Sequence, residues 1–148
     1  MDIDLDSFMF IDKLYNIAVY TKHFKKQKNY DVVINHIYKL TDELIKIKTE
    51  KFNDKTITIY VDLKDYKIRE VDYDFMKQMI KILQEKYPDN LNHIYIKNAT
   101  FVIKGVYAII RPFIDKVTRK KIFFLKKEKN KNKDKTFNEE DLNKIFEN

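Results

Sequence analysis

The stretch that decides the fold is residues 87–125, YPDNLNHIYIKNATFVIKGVYAIIRPFIDKVTRKKIFFL. It begins with a Tyr-Pro-acidic turn at residues 87–89 and continues into a short apolar strand at residues 94–96. A long apolar helix is predicted over residues 101–114, because no charged cluster or turn sequence interrupts it. Residues 117–125 then lead through a basic turn into a further strand. The stretch therefore predicts a strand, a helix and a second strand in that order.

The predicted helix over residues 101–114 is apolar on nearly all sides, with one narrow polar strip. A helix of this kind is either buried in the protein core or faces something oily. Gly105 and Pro112 weaken helical structure and favour the second interpretation, a movable lid. At about 14 residues with two cations, it is too short and too charged to span a bilayer. Its side chains Lys104 and Arg111 would then reach toward lipid headgroups.

The first part of the chain alternates between strand and helix patterns. The predicted strands are residues 17–20 and 56–63, and the predicted helices are residues 29–48 and 73–88. The spacing between strands suits right-handed crossovers through helices. The sequence therefore predicts one α/β domain over residues 1–148, with a mostly parallel sheet of about four to five strands and flanking helices.

Positive charge is concentrated near the apolar helix. Residues 116–135 hold ten lysine and arginine residues against two acidic ones, a net charge of +8, while the whole chain carries +7 and the remainder therefore −1. A nucleic-acid-binding protein more often spreads its cations over one face of the folded body, so nucleic-acid binding is disfavoured. Heavy use of lysine and asparagine also fits an AT-rich coding sequence, which gives the charge a second explanation.

Residues that could carry catalysis or bind a metal are sparse. The single glycine rules out a dinucleotide-binding or phosphate-cradling loop, and the absence of cysteine rules out disulfides and thiolate metal sites. The three histidines (His23, His36 and His93) lack metal-ligand spacing, and Ser7 has no glycine elbow. Asp62 is the best carboxylate, although holding a strand-to-helix turn is its alternative role. The sequence predicts no enzyme, metal or cofactor. It shows no signal peptide or membrane-spanning run, so we expect a cytoplasmic protein.

The ordered set of motifs resembles the CRAL-TRIO lipid-binding family. That family has a Tyr-Pro-acidic turn, a strand closing on Asn-Ala-Pro, a mobile gate helix with Lys-Pro-Phe-Leu, and a Thr-x-x-Lys-Ile segment. The matching positions here are Tyr87-Pro88-Asp89, Asn98-Ala99, Arg111-Pro112-Phe113-Ile114 and Thr118 to Ile122. The resemblance implies a CRAL-TRIO-like sheet and an apolar groove, closed by the gate helix, that holds a phospholipid or other lipophile.

This chain departs from the family pattern at several positions. The family's Asp-Leu-x-Gly stands here as Asp62-Leu63-Lys64-Asp65, with the glycine replaced. Asp89-Asn90 stands where Glu-Arg is usual, and the family's helical lobe before the first strand is missing. Because it lacks this lobe, the chain resembles the compact branch of the family that includes BCH-type protein-interaction domains. The missing lobe should leave apolar surface uncovered, from which we expect a homo-oligomer, a dimer or a tetramer.

The resemblance also implies site residues. Thr118 and Lys121 match the pair that contacts the inositol phosphate in phosphatidylinositol-transfer members, and Arg119 and Lys120 lie between them. A hydroxyl and an ammonium three residues apart can converge on one phosphate, although Thr118 can equally be a helix cap. The predicted groove residues are Phe101, Val102, Val106, Tyr107, Ile109, Ile110 and Phe113. The cations expected to face the membrane are Lys104, Arg111, Lys126 and Lys127.

The predicted function is a non-enzymatic lipid-binding, lipid-transfer or lipid-sensing module. Its expected ligand is phosphatidylinositol or a phosphoinositide, and its expected location is the cytoplasm, peripherally on anionic membranes. The alternative is a protein-interaction scaffold of the BCH type with a closed groove. After the apolar strand, we expect a basic Lys/Asn-rich loop over residues 126–135. A C-terminal helix is predicted over residues 136–148, capped by Thr136 with Glu139. It should dock through an apolar face of Leu142, Ile145 and Phe146.

Overall fold

The structure is a computed structural model that describes residues 2–127 and 134–137. Its centre is one sheet of six strands that lie side by side in sequence order. The strands are β1 (Met9–Ile11), β2 (Ile17–Tyr20), β3 (Ile57–Asp62), β4 (Leu91–Lys97), β5 (Ile122–Lys127) and β6 (Asp134–Phe137). The described α-helices are α1 (Leu5–Phe8), α2 (Asp31–Phe52), α3 (Tyr73–Lys86), α4 (Phe101–Ile110) and α5 (Lys116–Arg119). Single 3₁₀ turns are formed by Thr21–His23, Ile68–Glu70 and Arg111–Phe113.

The sheet is parallel in its centre and antiparallel at both edges. β2, β3, β4 and β5 pair in parallel, whereas β1 and β6 pair antiparallel with their neighbours. Each strand from β3 to β5 is added on the same side of the strand before it. Right-handed crossovers therefore place α2, α3 and α4 on one face of the sheet. The mostly parallel α/β fold predicted from the sequence is confirmed. Six strands are described instead of four to five because the short edge strands carry no readable alternation.

Capping residues explain where the two long crossover helices begin and end. Asn29 Oδ1 accepts a hydrogen bond from Asp31 N at 2.8 Å at the start of α2. This helix ends at Asn53, whose φ of 53° is the left-handed geometry that closes many helices. It runs four residues beyond the predicted Lys48, through three polar residues to Phe52, whose ring lies 5.3 Å from that of Tyr15. Asp72 caps α3 by accepting from Phe75 N at 3.1 Å.

The apolar helix α4 is shorter than the sequence predicted. Thr100 caps its start by accepting from Ile103 N at 3.2 Å. The α-helix ends at Ile110, and Arg111–Phe113 forms a 3₁₀ turn. The predicted continuation of the helix to Ile114 was wrong, because Pro112 has no N–H to donate and its ring crowds the preceding turn.

The C-terminal elements also differ from the predictions. Lys126 and Lys127 belong to β5, and Asp134 and Lys135 belong to β6, so these residues are not part of a loop. Thr136 lies in β6 and does not cap a helix there, which makes the predicted helix start wrong. Apolar and polar residues do not alternate clearly in such lysine-rich strands, so the sequence pattern did not predict them. The remaining loop residues 128–133 and the helix predicted beyond residue 137 lie outside the described residues.

The core lies between the sheet and its three crossover helices. Its most completely buried side chains are Ile17, Leu44, Ile57 and Phe124. Each of the three strand residues points toward the helices, and Leu44 meets them from α2. The buried residues fall into neighbouring clusters, and α4 contributes to the two that lie farthest from α2. The space between these clusters contains the cavity described next.

Candidate functional site

A cavity of about 300 Å³ lies between the inner face of the sheet and the crossover helices. Strand side chains form its floor, namely Val19, Ile59, Val61, Ile94, Ile96 and Phe124. Helix side chains form its walls, among them Ile37 of α2, Phe75, Met76, Met79 and Leu83 of α3, and Ile103, Val106, Tyr107 and Ile110 of α4. The lining is almost entirely hydrocarbon. Such a surface can hold the apolar part of a ligand and provides little to bind a polar one.

Helix α4 covers the cavity with one side and exposes apolar residues on the other. Val106 and Tyr107 are buried and line the cavity together with Ile110. On the outer side, Phe101 is 84% exposed and Ile109 is 56% exposed. The predicted groove residues therefore divide into two sets. Val106, Tyr107 and Ile110 line the cavity, whereas Phe101, Val102, Ile109 and Phe113 are exposed.

The middle of α4 is weakened by its glycine. A Cβ atom placed on Gly105 would meet no atom within 4 Å, so close packing does not require the glycine. Glycine costs a helix about 0.5–1 kcal/mol relative to alanine. Gly105 and the end of the α-helix before Pro112 therefore both reduce the rigidity of this segment. Gly105 and Pro112 are thus two weak points in the helix segment that covers the cavity.

Asp62 ends β3 and ties the turn after that strand to the segment that leads from β4 to α4. Its Oδ1 accepts from Lys64 N at 2.9 Å and from Asn98 Nδ2 at 2.8 Å. Thr21 Oγ1 also donates to the Asp62 backbone oxygen at 2.9 Å. Of the two roles that the sequence left open for Asp62, this geometry corresponds to the turn-holding one. Asp65 in the same turn has a φ of 60°, which is the backbone geometry that glycine adopts most easily.

One end of the cavity is lined by polar groups, at Thr21, Tyr66 and Asp72. Tyr30 Oη donates to Asp72 Oδ2 at 2.7 Å, and burial raises the pKa of Tyr30 to about 12. Burial also raises the pKa of Tyr66. Burial opposes ionisation of Asp72, but the hydrogen bonds from Tyr30 and Phe75 N still hold its pKa below the usual value. At neutral pH, Tyr30 and Tyr66 are therefore neutral phenols and Asp72 is a carboxylate, held beside a cavity whose surface stays almost entirely apolar.

The sequence did not reveal this polar end. Tyr30 and Asp72 are 42 positions apart, and only the fold brings them together. Tyr87, the tyrosine of the Tyr-Pro turn, was part of a recognised motif, and its structural role is now visible. It is buried against the cavity, and its hydroxyl donates to Asp42 Oδ1 of α2 at 2.8 Å. The turn is thereby tied to α2.

The residues predicted to bind a headgroup lie away from the cavity lining. Thr118 is buried, and its side chain hydrogen-bonds the carboxylate of Asp115, which caps α5. Lys121 N donates to Thr118 O at 2.9 Å, so the two residues share one turn. Lys120 is exposed, while Lys121 and Arg119 are half-buried. The cap of this turn is Asp115, and Thr118 donates to it from both its N–H and its hydroxyl, so Thr118 does not have the capping role that the sequence left open.

The structure describes the side chains of two of the four cations predicted to face the membrane. Lys104 and Arg111 are half-buried at α4, and the side chains of Lys126 and Lys127 lie outside the described part of the chain. Lys77 Nζ lies 4.2 Å from the centre of the exposed Phe113 ring. Among the described residues, no helix is long and apolar enough to cross a bilayer. Nor do the acidic residues and histidines in that part of the chain form a group suited to a metal ion.

Comparison with known proteins gives matches along most of the chain. The sequence model of the CRAL/TRIO domain matches residues 13–147. A CRAL-TRIO domain-containing protein of Schizosaccharomyces pombe, C3H8.02, is 31% identical over 70 residues, which are 47% of this chain and 16% of the relative. The phosphatidylinositol transfer protein CSR1 of Eremothecium gossypii is 31% identical over 71 residues, 48% of this chain and 16% of that protein. These alignments thus span about a sixth of each relative.

A solved structure extends the comparison to the fold. The crystal structure of Sfh5 superimposes with a TM-score of 0.66 at 22% sequence identity. The match covers 82% of this chain and 49% of the Sfh5 chain. Its agreement in fold is consistent with the sheet and the crossover helices described above. Because the domain model matches residues 13–147 of the 148, this chain belongs to the CRAL/TRIO domain family.

Proposed function

We propose that this chain is a non-enzymatic lipid-binding module that holds a lipophile in the cavity beneath α4. The observation that carries the proposal is the cavity itself, an apolar space of about 300 Å³ closed by a helix that is apolar on both sides. A relative named as a phosphatidylinositol transfer protein supports phosphatidylinositol or a phosphoinositide as the ligand, and transfer as the activity. A sensing role would use the same binding step.

The size of the cavity bears on how a phospholipid would enter. A volume of about 300 Å³ is at the lower end of the range for ligand pockets. A lipid with two acyl chains therefore requires α4 to move away from the sheet. Gly105 and the break at Pro112 lower the cost of that movement. The exposed apolar side of α4 would meet lipid while the helix is displaced.

Attraction by charge alone would not hold the module on a membrane. Each cation near an anionic surface contributes about 1 kcal/mol, so engaging half of the +8 segment gives about 4 kcal/mol, or roughly millimolar affinity. Insertion of exposed apolar side chains supplies a second contribution. These side chains are Phe101, Val102, Ile109, Phe113 and Val117. We infer that Lys121 and its neighbours Arg119 and Lys120 contact the headgroup phosphate, with Thr118 fixing their turn.

Native mass spectrometry of the purified chain and a vesicle-to-vesicle transfer assay test the proposal. A co-purified lipid and transfer of phosphatidylinositol are expected. Ile110→Asp, which places a carboxylate in the cavity, should abolish both while circular dichroism shows a folded protein. Ile109→Asp is the matched control, because the neighbouring side chain is exposed. It should keep the co-purified lipid and reduce only vesicle binding.

Two outcomes would overturn the proposal. A folded wild-type chain that neither carries lipid nor takes it up from vesicles would favour the alternative, a BCH-type protein-interaction scaffold. Equal loss of lipid in Ile109→Asp and Ile110→Asp would mean that the cavity is not where the ligand binds.

Sedimentation analysis should also show whether the chain forms the dimer or tetramer proposed from its uncovered apolar surface.

A further inference from the structure

The chain that follows α4 contacts α3 through two polar side chains. Lys77 Nζ of α3 lies 4.2 Å from the centre of the Phe113 ring, close enough for a cation–π interaction. Gln84 Oε1 of α3 accepts a hydrogen bond from Asp115 N at 2.7 Å. Both partners lie beyond Pro112, where the α-helix has already ended. Residues 101–115, which we call the covering segment, are therefore held to α3 beyond their last α-helical turn.

The two polar side chains lie on one side of α3. Lys77 and Gln84 are seven positions apart, which is about two helical turns, or about 10 Å along the axis. Ile80 lies between them on α3 and packs against the buried cluster that contains Ile114. An apolar contact thus lies between the two polar ones, and the order along α3 follows the order of residues 113–115. We call this set of contacts the α3 seam.

The α3 seam runs beside the cavity. On α3, the cavity is lined by Met76, Met79 and Leu83, among others, whereas Lys77 and Gln84 are not part of the lining. On the covering segment, the cavity is lined by Ile110, the last residue of α4. The seam therefore joins the two walls of the cavity at the end of α4. Moving Ile110 away from α3 separates the partners of the seam.

The two ends of the covering segment are held in different ways. Before its start, the side chain of Asn98 donates to Asp62, and the backbone there has left-handed geometry. At its other end, the seam partners Phe113 and Asp115 are both exposed, and only Ile114 between them is buried. Contacts at exposed positions open more readily than those in a packed core. The seam is therefore the end of the segment that separates first.

We propose that the α3 seam is a latch that holds the cavity closed, with Lys77 and Gln84 as its positioning residues. Release of the seam lets the C-terminal end of α4 move away from α3. The inference rests on the proposed function, because it concerns how a lipophile enters and leaves that same cavity. Asp115 is also the cap of α5, so the latch holds the turn of Thr118 against α3 as well.

Release of a phosphatidylinositol with a fluorescent acyl chain into phosphatidylcholine vesicles tests the latch. Gln84→Met removes the acceptor for Asp115 N and should speed release about fivefold, the effect of one ordinary hydrogen bond. Lys77→Met should speed release about threefold, because a cation–π interaction at an exposed ring is lost. Since the two contacts lie about 10 Å apart, their effects should multiply, and the double variant should release the lipid about 15-fold faster.

Matched controls come from the exposed side of the same helix. Gln78→Met and Lys81→Met make the same chemical changes at exposed positions of α3 and should leave the release rate unchanged. Gln84→Glu keeps an oxygen acceptor and Lys77→Arg keeps a cation over the ring, so both should release lipid at close to the wild-type rate. Equal release rates in the seam variants and the exposed controls would overturn the proposal.

Hydrogen exchange measured by mass spectrometry separates the latch from the proposed function. In the lipid-free chain, peptides from residues 101–115 should exchange faster in the seam variants, whereas peptides from β3 should not. Faster exchange in both regions would mean that these contacts support the whole fold, and it would overturn the latch. If the wild-type chain took up no lipid but the seam variants showed the local change, the proposed function would fail and the seam would stand as the opening contact of α4.

Discussion

Asn98 Nδ2 donates a hydrogen bond to Asp62 Oδ1 over 2.8 Å, and this contact joins the carboxyl ends of β3 and β4. It lies three residues before the first residue of α4. Asn98 also has a φ of 60°, a geometry that asparagine tolerates better than most residues. The start of the covering helix is therefore tied to the sheet by both a side chain and a backbone turn. We expect α4 to swing about this end when the cavity opens.

Replacing Asp62 should loosen the anchored end. Asp62→Ala removes the acceptor for both Asn98 and Lys64, and we expect the free energy of unfolding to fall by about 1–3 kcal/mol. Urea denaturation of the two proteins measures this difference. Asp62→Asn keeps one oxygen acceptor and should lose less than half as much. If the two variants were equally destabilised, the hydrogen bonds at this turn would not explain the role of Asp62.

Stiffening α4 should slow lipid exchange. Gly105→Ala adds a methyl group into open space and should stabilise the helix by about 0.5–1 kcal/mol. The melting temperature should rise, and release of a fluorescent lipid should become slower. Ala108→Gly in the same helix is the control and should change both quantities in the opposite direction. A release rate that does not change in either variant would argue against movement of α4 as the opening step.

The position where the family carries glycine should accept it here. Asp65 has a φ of 60°, which glycine adopts without strain. We expect Asp65→Gly to leave the melting temperature unchanged or slightly higher. Asp65→Val should lower stability by about 1–2 kcal/mol, since branched side chains are strained in this region. Thermal denaturation of both variants checks the expectation, and equal melting temperatures would contradict it.

The turn that contains Thr118 should weaken in acid. The hydrogen bond from Thr118 N at 2.7 Å holds the pKa of Asp115 below its ordinary value of 3.8. Its contribution to stability is therefore present above pH 3.8 and is lost as pH falls through the lower pKa of the folded protein. Asp115→Asn should melt below wild type at pH 6, and the gap should close below about pH 3. A gap that persists at pH 2 would exclude the carboxylate as its cause.

Lys121 should distinguish a phosphoinositide from general negative charge. Lys121→Ala should reduce binding to phosphoinositide vesicles several-fold more than binding to phosphatidylserine vesicles of matched surface charge, because its ammonium is held in a fixed turn. The comparison variant neutralises four lysines of the basic segment, namely Lys129, Lys131, Lys133 and Lys135. It should weaken binding to both lipids alike and flatten the salt dependence. Vesicle co-sedimentation decides, and equal losses for Lys121→Ala would exclude specific headgroup recognition.

Elements with an apolar run or a repeated apolar spacing were predictable from the sequence, and the two edge strands were not. The strands around Ile17 and Ile94 were predicted from short apolar runs, and the strand around Ile59 and the helices α2 and α3 from repeated apolar spacing. β1 has only three residues, and β6 has one apolar residue among four, so neither shows a pattern. Helix α4 was recognised as unusual, but an all-round apolar pattern cannot tell which side faces the cavity. Contacts such as Tyr30 with Asp72 depend on the folded chain alone.

The alternation of side chains along β4 has a consequence for engineering. Ile94 and Ile96 face the cavity, whereas His93 and Tyr95 lie on the opposite face of the sheet. A library that varies only the two isoleucines would therefore reshape the cavity and leave the opposite surface chemically constant. One strand of seven residues thus provides two separate sets of positions, one that alters the cavity and one that alters the outer face of the sheet.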